Sequence, residues 1–191
     1  RIENEPIEVI DSTKLLGTII SKDLTWDLNT ASLIKKANAR MQLLRKVASF
    51  SPPTDDLKEV CILFIRSILE HSATVWHSSL SQENIDDLER VHKSALRIIL
   101  QEKYKSYKQG LALLNIETLA DRRESLCLNF TLKCVKHEKL SHMFPANEKS
   151  HKMETRREEK FEVQFANTGR LQKSPIIYMQ KLLNENANNS N

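Results

Sequence analysis

The sequence contains very little glycine, only 3 of its 191 residues. Each glycine stands alone, which argues against a glycine-rich phosphate-binding loop. Tight hairpins also favour glycine at positive φ, so a fold made of many short hairpins is disfavoured as well. Helix is therefore the structure that the composition favours.

Cysteine is equally scarce, with only Cys61, Cys127 and Cys134. Three thiols leave one without a partner and provide no disulfide framework, which indicates a reducing compartment. No apolar run reaches the roughly 18 residues that a membrane helix needs, and no signal peptide is visible. The sequence begins with Arg1 rather than Met, so we expect a fragment or a processed product.

The charge balance is only mildly basic. Lys and Arg number 29 against 25 Asp and Glu, for a net charge of +4. This balance permits nucleic-acid binding without requiring it, so the distribution of the charges along the chain is more informative than their sum. Apolar residues make up 40% and charged residues 28% of the chain, as in an ordinary globular protein of one domain.

The apolar pattern predicts a mainly α chain with short β-strands at its N-terminus, a bundle of about four helices and a flexible C-terminal tail. Two β-branched runs, 7–10 and 14–20, are typical of strands. Two strands are marginal alone, so we expect them to pair with a further segment. The predicted divisions are 1–29 (strands and connector), 30–145 (helical region) and 146–191 (charged tail).

Four helices are predicted from apolar residues that recur on one helical face. The first two span about 30–50 and 54–76, the third begins after Ser81, and the fourth begins at Thr118. The first ends before Pro52, because proline disfavours helix in the residue before it. Shorter features are predicted over 111–114 (an apolar turn) and 176–183 (a weak helix).

The first predicted helix carries the clearest functional candidate. Between Ala31 and Phe50 no residue is acidic and five are basic: Lys35, Lys36, Arg40, Arg45 and Lys46. They largely avoid the apolar stripe, so we expect a solvated basic face. Such a face suits phosphates, which cations bind without regard to base sequence. The alternative is an ordinary solvated helix surface.

A second basic segment lies between the third and fourth helices. From Arg97 to Lys108 four residues are positive and one is negative. The candidate phosphate contacts in it are Lys103, Lys105 and Lys108. Tyr104 and Tyr107 alternate with these charges and could stack on a base or bond a phosphate. The alternative is that their rings cover the edge of the core.

Metal and nucleophilic chemistry find little support in the sequence. Cys127, Cys134, His137 and His142 lie on or after a predicted helix, whereas zinc knuckles use ligand pairs two to four residues apart on a turn. We therefore expect no metal site. Cys61 falls in an apolar stripe and should be inert, and no Gly-x-Ser-x-Gly motif occurs. We expect no catalytic residue in this chain.

Four segments occur in an order that is typical of one family. They are Lys14-Leu15-Leu16-Gly17-Thr18-Ile19-Ile20 followed by Leu24-Thr25-Trp26, then Leu69–Trp76, Leu88–Arg97 and Leu111–Arg123. Together they resemble the end of the palm and the following region in reverse transcriptases of non-LTR retrotransposons, the LINE-type elements of the jockey and CR1-like kind. The resemblance covers residues 14 to about 137.

Three positions depart from the family pattern. His71 stands where tyrosine is usual, His92 where glutamine is usual, and Thr118 where proline is frequent. None of these changes removes a catalytic group, so they bear on the subfamily and on decay of the element rather than on the assignment.

The resemblance implies a palm remnant over 1–29 and a thumb with the region after it over 30–145. The family's polymerase carboxylates lie upstream, so Mg²⁺ is implied only for the missing palm and this chain should need no cofactor. Alone it should be inactive. The pairs Asp55-Asp56 and Asp86-Asp87 lack the family's aromatic residue two positions earlier, and we expect them to be helix N-terminal charges.

The resemblance also implies partners and a place in the cell. The chain would grip an RNA template paired with a DNA primer, beside the palm and fingers of the same polyprotein. It would be intracellular, in the cytoplasm and the nucleus, and would not contact a membrane. Two alternatives stay open: a helical protein–protein interaction module without a nucleic-acid role, and a decayed element whose product does nothing.

Overall fold

The computed structural model describes residues 9–147 and 160–189, and these are mainly α-helical, as the sequence predicts. The chain divides into two units. The first unit is Arg1–His71 with Leu80–Leu119, and the second is Ser72–Ser79 with Ala120–Asn191.

The first unit opens with a β-hairpin. Strand β1 (Ser12–Leu15) pairs antiparallel with β2 (Thr18–Ser21), and Ser12 lies opposite Ser21. Leu16 and Gly17 form the two-residue turn, with φ values of 47° and 89°. Positive φ at both turn residues is the geometry that matches the twist of paired strands.

The predicted strands at 7–10 and 14–20 are therefore wrong in their bounds. The chain reverses at Leu16–Gly17, inside the second predicted strand, because the turn residues are embedded in an apolar run. Residues 7 and 8 lie outside the described residues. Among the described residues β1 pairs with β2 alone.

Helix α1 (Asp27–Ala48) begins three residues before the predicted start at Thr30. Asp27 lies in its first turn, where a carboxylate stabilises the helix dipole. The helix ends before the Pro52–Pro53 pair, as predicted. Its buried stripe is formed mainly by Leu33, Ala37, Met41, Leu44 and Ala48. This stripe packs on the helices that follow and leaves the opposite side of α1 to solvent.

The single helix predicted over 54–76 is interrupted twice. Helix α2 (Thr54–Cys61) continues through a π-helical turn (Ile62–Arg66) into the short helix α3 (Ser67–Leu69). The chain then breaks at Ser72, whose φ of 54° is left-handed, and resumes as α4 (Ala73–Trp76) in the second unit.

Helix α5 (Gln82–Leu100) confirms the predicted third helix. The Ser81 hydroxyl accepts a hydrogen bond from the Asn84 backbone N–H at 3.2 Å and caps the helix. The Asn84 side chain donates to Asp27 Oδ1 at 2.7 Å, which ties the start of α5 to the start of α1.

Helix α6 (Tyr107–Leu114) corrects the prediction of a mere turn at 111–114. A 3₁₀ turn (Gln101–Lys103) precedes it, and the Ser106 hydroxyl accepts from the Gln109 N–H at 3.3 Å. This cap is a local polar signal that the apolar pattern alone does not reveal.

The second unit is built from shorter elements. They are α4, a 3₁₀ turn (His77–Ser79), α7 (Leu119–Val135) from Ala120 onward, a 3₁₀ turn (Ser141–Met143), α8 (Gly169–Gln172) and α9 (Pro175–Asn189). Its buried cluster contains Cys134, Phe144, Met179 and Leu183. The predicted fourth helix corresponds to α7.

Helix α9 is longer than the weak helix predicted over 176–183. Asn184 is buried, and its side-chain amide bonds both the N–H and the C=O of Phe161 at 2.9 Å. Gln180 accepts from the Gln164 N–H at 2.9 Å in the same way. These amides hold an extended stretch of chain along α9. Of the predicted tail over 146–191, residues 148–159 and 190–191 lie outside the described residues.

Candidate nucleic-acid interface

The five cations of α1 are all exposed: Lys35, Lys36, Arg40, Arg45 and Lys46. The reason is the period of the helix, because the apolar stripe is buried and the charged positions fall between its members. None of the five forms an ion pair with a carboxylate of the residues that the structure describes. Their charges are therefore available to an anionic partner.

The five cations do not share one narrow face. At about 100° per residue, Lys35 and Lys46 lie within roughly 20° of each other, opposite the buried stripe. Lys36 lies about 80–100° from them on one side, and Arg40 lies further round on that side, at the edge of the buried stripe. Arg45 lies about 80–100° away on the other side. The four cations that lie within about 140° of one another around the helix form the group that we call the α1 stripe: Lys35, Lys36, Arg40 and Lys46.

The length of the α1 stripe suits a duplex. With a rise of 1.5 Å per residue, Lys35 and Lys46 are about 16 Å apart along the axis. A nucleic-acid duplex carries about ten phosphates over that distance. Several phosphates therefore lie within reach of the stripe at once.

The three lysines of the second predicted segment, Lys103, Lys105 and Lys108, are also exposed. The tyrosines between them are not free to stack on a base. The Tyr104 ring contacts the position of Gly110 and lies beneath the Arg97 guanidinium, 5.4 Å from its carbon. The sequence thus predicts the exposure of the three lysines. The two tyrosine rings cover the edge of the core, which is the alternative to stacking on a base.

The Tyr107 hydroxyl is engaged with two residues of α5. It donates to the Glu89 carboxylate and lies 2.9 Å from His92 Nδ1. Since its only hydrogen goes to Glu89, His92 must carry a hydrogen on Nδ1 and donate it. Glu89 and His92 are buried. Burial and the Glu89 carboxylate raise the pKa of Tyr107, so it stays neutral.

The aspartate pairs do not converge on a metal site. Asp55 and Asp56 lie in the first turn of α2 and are exposed. Asp86 accepts from Gln82 Nε2 at 3.0 Å, and Asp87 pairs with Arg90 at 2.6 Å. These side chains serve local helix contacts, so they do not fit the converging carboxylates that two Mg²⁺ ions require.

The cysteines occupy apolar positions. Cys61, Cys127 and Cys134 are buried, and burial raises the pKa of Cys61 to about 12 and that of Cys127 to about 11. His137 Nδ1 accepts from the Lys139 N–H at 3.2 Å. Across the described residues no group of three or more metal-ligating side chains gathers.

Two of the segments that carry the family resemblance meet in the first unit. His71 Nε2 lies 3.1 Å from the Leu16 carbonyl at the hairpin turn, so it donates to that oxygen. A Cβ atom at Gly17 would lie 2.8 Å from the same nitrogen. The hairpin is also fixed to α1, because the Asn29 side chain accepts from the Ile19 N–H at 3.1 Å.

The second unit buries the arginine that ends the fourth segment. Arg123 is fully buried, with its guanidinium 5.8 Å from the Trp76 ring and its Nε 3.4 Å from His77 Nδ1. Burial and the Arg123 charge lower the pKa of His77 to about 4. His77 is therefore neutral near pH 7 and accepts from Arg123, while the Tyr178 ring meets it edge-on at 5.6 Å.

Comparison with protein-family models, with curated proteins and with solved structures found no match for this chain. The family resemblance therefore rests on the four sequence segments. None of the helices in the described part of the chain combines the length and apolar character that crossing a membrane requires.

Proposed function

We propose that this chain is a non-catalytic part of a retrotransposon RNA-directed DNA polymerase that grips the template–primer duplex through the α1 stripe. The observation that carries the proposal is the state of the four cations. They are exposed, have no ion pair within the described residues, and lie within about 140° of one another around one helix.

The chemistry of such a grip is electrostatic. Lysine and arginine neutralise phosphates and release the counterions condensed on a duplex, so binding is insensitive to sequence and weakens with salt. A thumb needs this behaviour, because it must hold every position of a template as the duplex moves past. The RNA template and the DNA primer are the partners that this proposal assigns.

The four segments of the resemblance support the proposal. They occur in the family's order, and two of them meet where His71 contacts the Leu16 carbonyl. Catalysis is assigned to a palm of the same polyprotein, where Mg²⁺ would be held by carboxylates that lie upstream. The cytoplasm and the nucleus are the compartments that the proposal assigns.

Charge reversal on the α1 stripe tests the proposal. The Lys36→Glu/Arg40→Glu variant should weaken binding of a fluorescent RNA–DNA duplex about tenfold or more, equally for unrelated sequences. Fluorescence anisotropy gives the affinity. Lys133→Glu/Lys136→Glu is the matched control, since both lysines are exposed and lie in the second unit. Equal loss in the two variants would contradict an interface at α1.

A second candidate, a protein–protein interaction module, is favoured by the hairpin. All four residues of β1 are exposed, and large exposed apolar side chains lie within it or next to it: Val9, Ile10, Leu15 and Leu16. An open strand edge with apolar flanks is suited to pairing with another strand. A chain that binds no duplex at about 50 mM salt would favour this candidate.

A further inference from the structure

The junction of α5 and α6 carries a second group of basic residues, outside α1. Two cations one helical turn apart on α5 lie over the two tyrosine rings that precede and begin α6. Lys93 Nζ is 5.1 Å from the centre of the Tyr107 ring, and the Arg97 guanidinium carbon is 5.4 Å from the centre of the Tyr104 ring. Lys93 is half-buried and Arg97 is exposed.

The rings beneath these cations are fixed. Tyr107 is held by its hydrogen bonds with Glu89 and His92. Tyr104 lies against Gly110, where a Cβ atom would approach its ring to 3.3 Å. A cation over a fixed ring loses less conformational entropy on binding than one on a free stem.

The backbone that carries the neighbouring lysines is fixed as well. The Gln109 side chain accepts from the Lys105 N–H at 3.2 Å, and the Ser106 hydroxyl caps α6. This geometry presents Lys103, Lys105 and Lys108 from a short, doubly anchored connection rather than from a free loop.

The charges of this surface are almost all of one sign. From Lys93 to Lys108 the sequence has five basic residues and one acidic residue, Glu102. Among the described residues neither Lys93 nor Arg97 forms an ion pair. The edge of a guanidinium that lies on a ring still presents N–H donors, in the fork that suits two phosphate oxygens.

We infer that the α5–α6 junction is a second, preformed phosphate-binding surface in which Lys93 and Arg97, supported by Tyr107 and Tyr104, act together with Lys103, Lys105 and Lys108. The inference rests on the proposed nucleic-acid function and extends it to residues outside α1. Tyr104 and Tyr107 are positioning residues here, because they act through the cations above them.

The test uses the full chain and the same fluorescent RNA–DNA duplex. Lys93→Gln/Arg97→Gln should weaken binding about tenfold and reduce the slope of log affinity against log salt by about two. The matched control, Lys133→Gln/Lys136→Gln, removes equal charge from the second unit and should leave both values unchanged. Thermal unfolding followed by circular dichroism checks that each variant folds.

The Tyr104→Leu variant distinguishes the effect of positioning Arg97 from the effect of its charge. It keeps every cation but removes the ring below Arg97, so affinity should fall about threefold while the salt slope stays at the wild-type value. Arg97→Lys keeps the charge and loses the fork, and should also weaken binding. A Tyr104→Leu variant with wild-type affinity would overturn the positioning role.

The outcomes distinguish this inference from the proposed function. Loss of binding in Lys36→Glu/Arg40→Glu together with a Lys93→Gln/Arg97→Gln variant that matches its control would overturn the second surface alone. Loss in the Lys93→Gln/Arg97→Gln variant alone would support the second surface and overturn the role of α1. A wild-type chain that does not bind the duplex would overturn both.

Discussion

Two arginines, one in each unit, lie in opposite environments. In the first unit, α1 holds its cations in solvent, and Arg40 makes no ion pair within the described residues. In the second unit, α7 buries Arg123 completely against Trp76 and His77. Arg40 is thus a candidate ligand for phosphate, whereas Arg123 is part of the interior of its unit.

The difference lies in what faces each cation. Arg40 lies at the edge of the buried apolar stripe of α1, and its side chain remains in water. Arg123 points where an aromatic ring and a neutral imidazole replace water. A buried arginine is retained only when such partners offset its desolvation.

Truncating each of the two arginines in turn should produce the largest difference between the units. Arg123→Ala should lower the free energy of unfolding by about 3 kcal/mol, because it removes a buried side chain and leaves His77 without its donor. Arg40→Ala should change it by less than about 0.5 kcal/mol. Urea denaturation gives both values, and equal losses would contradict the contrast.

Acid should weaken the second unit through His77. The unfolded histidine takes up a proton near its ordinary pKa of 6.5, whereas the folded one does so only near 4. Between these values the unfolded chain binds more protons, so stability should fall by about 2–3 kcal/mol as the pH drops from 7 to 4.

The measurement for this acid effect is the urea midpoint at each pH, followed by tryptophan fluorescence. A Trp26→Phe background leaves Trp76 as the reporter, and Trp76 lies in the second unit. His77→Gln in that background should flatten the pH dependence. A His77→Gln profile as steep as the parent's would assign the acid sensitivity to another group.

Tyr107→Phe probes the polar interior of the first unit. The change should cost about 1–2 kcal/mol, because the buried Glu89 carboxylate loses a hydrogen-bond donor. The free energy of unfolding from urea denaturation measures it. Glu89→Gln/Tyr107→Phe should lose less than the sum of the single changes, since it removes both partners. Strict additivity would mean that the hydroxyl and the carboxylate do not interact.

The smallest expected change in stability concerns two glycines, one from each unit. Gly17→Ala should cost about 1 kcal/mol, because φ is 89° and the new Cβ would lie 2.8 Å from His71 Nε2. Gly169→Ala in α8 meets no atom within 4 Å and should be neutral or slightly stabilising. Melting temperatures rank the two variants, and the reverse order would contradict the assigned turn.

The sequence predicts the parts of the fold that depend on apolar spacing. The buried apolar face of α1 and the Ser81 cap of α5 follow from local patterns, and both are present. The hairpin turn at Leu16 cannot be predicted in this way, because leucine is not a residue type that indicates a turn with positive φ, here 47°. The length of α9 escapes it too, since Asn184 is held by Phe161, which is 23 residues away.

In the candidate interface, too, the sequence predicts which residues are exposed but not which residues contact one another across helices. Exposure of Lys35 and Lys103 follows from the sequence, because charged residues outside an apolar stripe remain in water. The hydrogen bond from Tyr107 to Glu89 does not follow from the sequence, since Glu89 lies 18 residues earlier on another helix. Lys93 is a candidate phosphate ligand because the structure places it over the Tyr107 ring, a contact that the sequence does not predict.

The salt dependence of duplex binding by the unmodified chain is the most direct test of α1 as a phosphate-binding surface. Fluorescence anisotropy of a labelled RNA–DNA duplex, titrated at several salt concentrations, gives the slope of log affinity against log salt. Contacts from the four cations of the α1 stripe predict a slope of about −4 or steeper. A slope near zero, or no binding at about 50 mM salt, would contradict the account of α1 as a phosphate-binding surface.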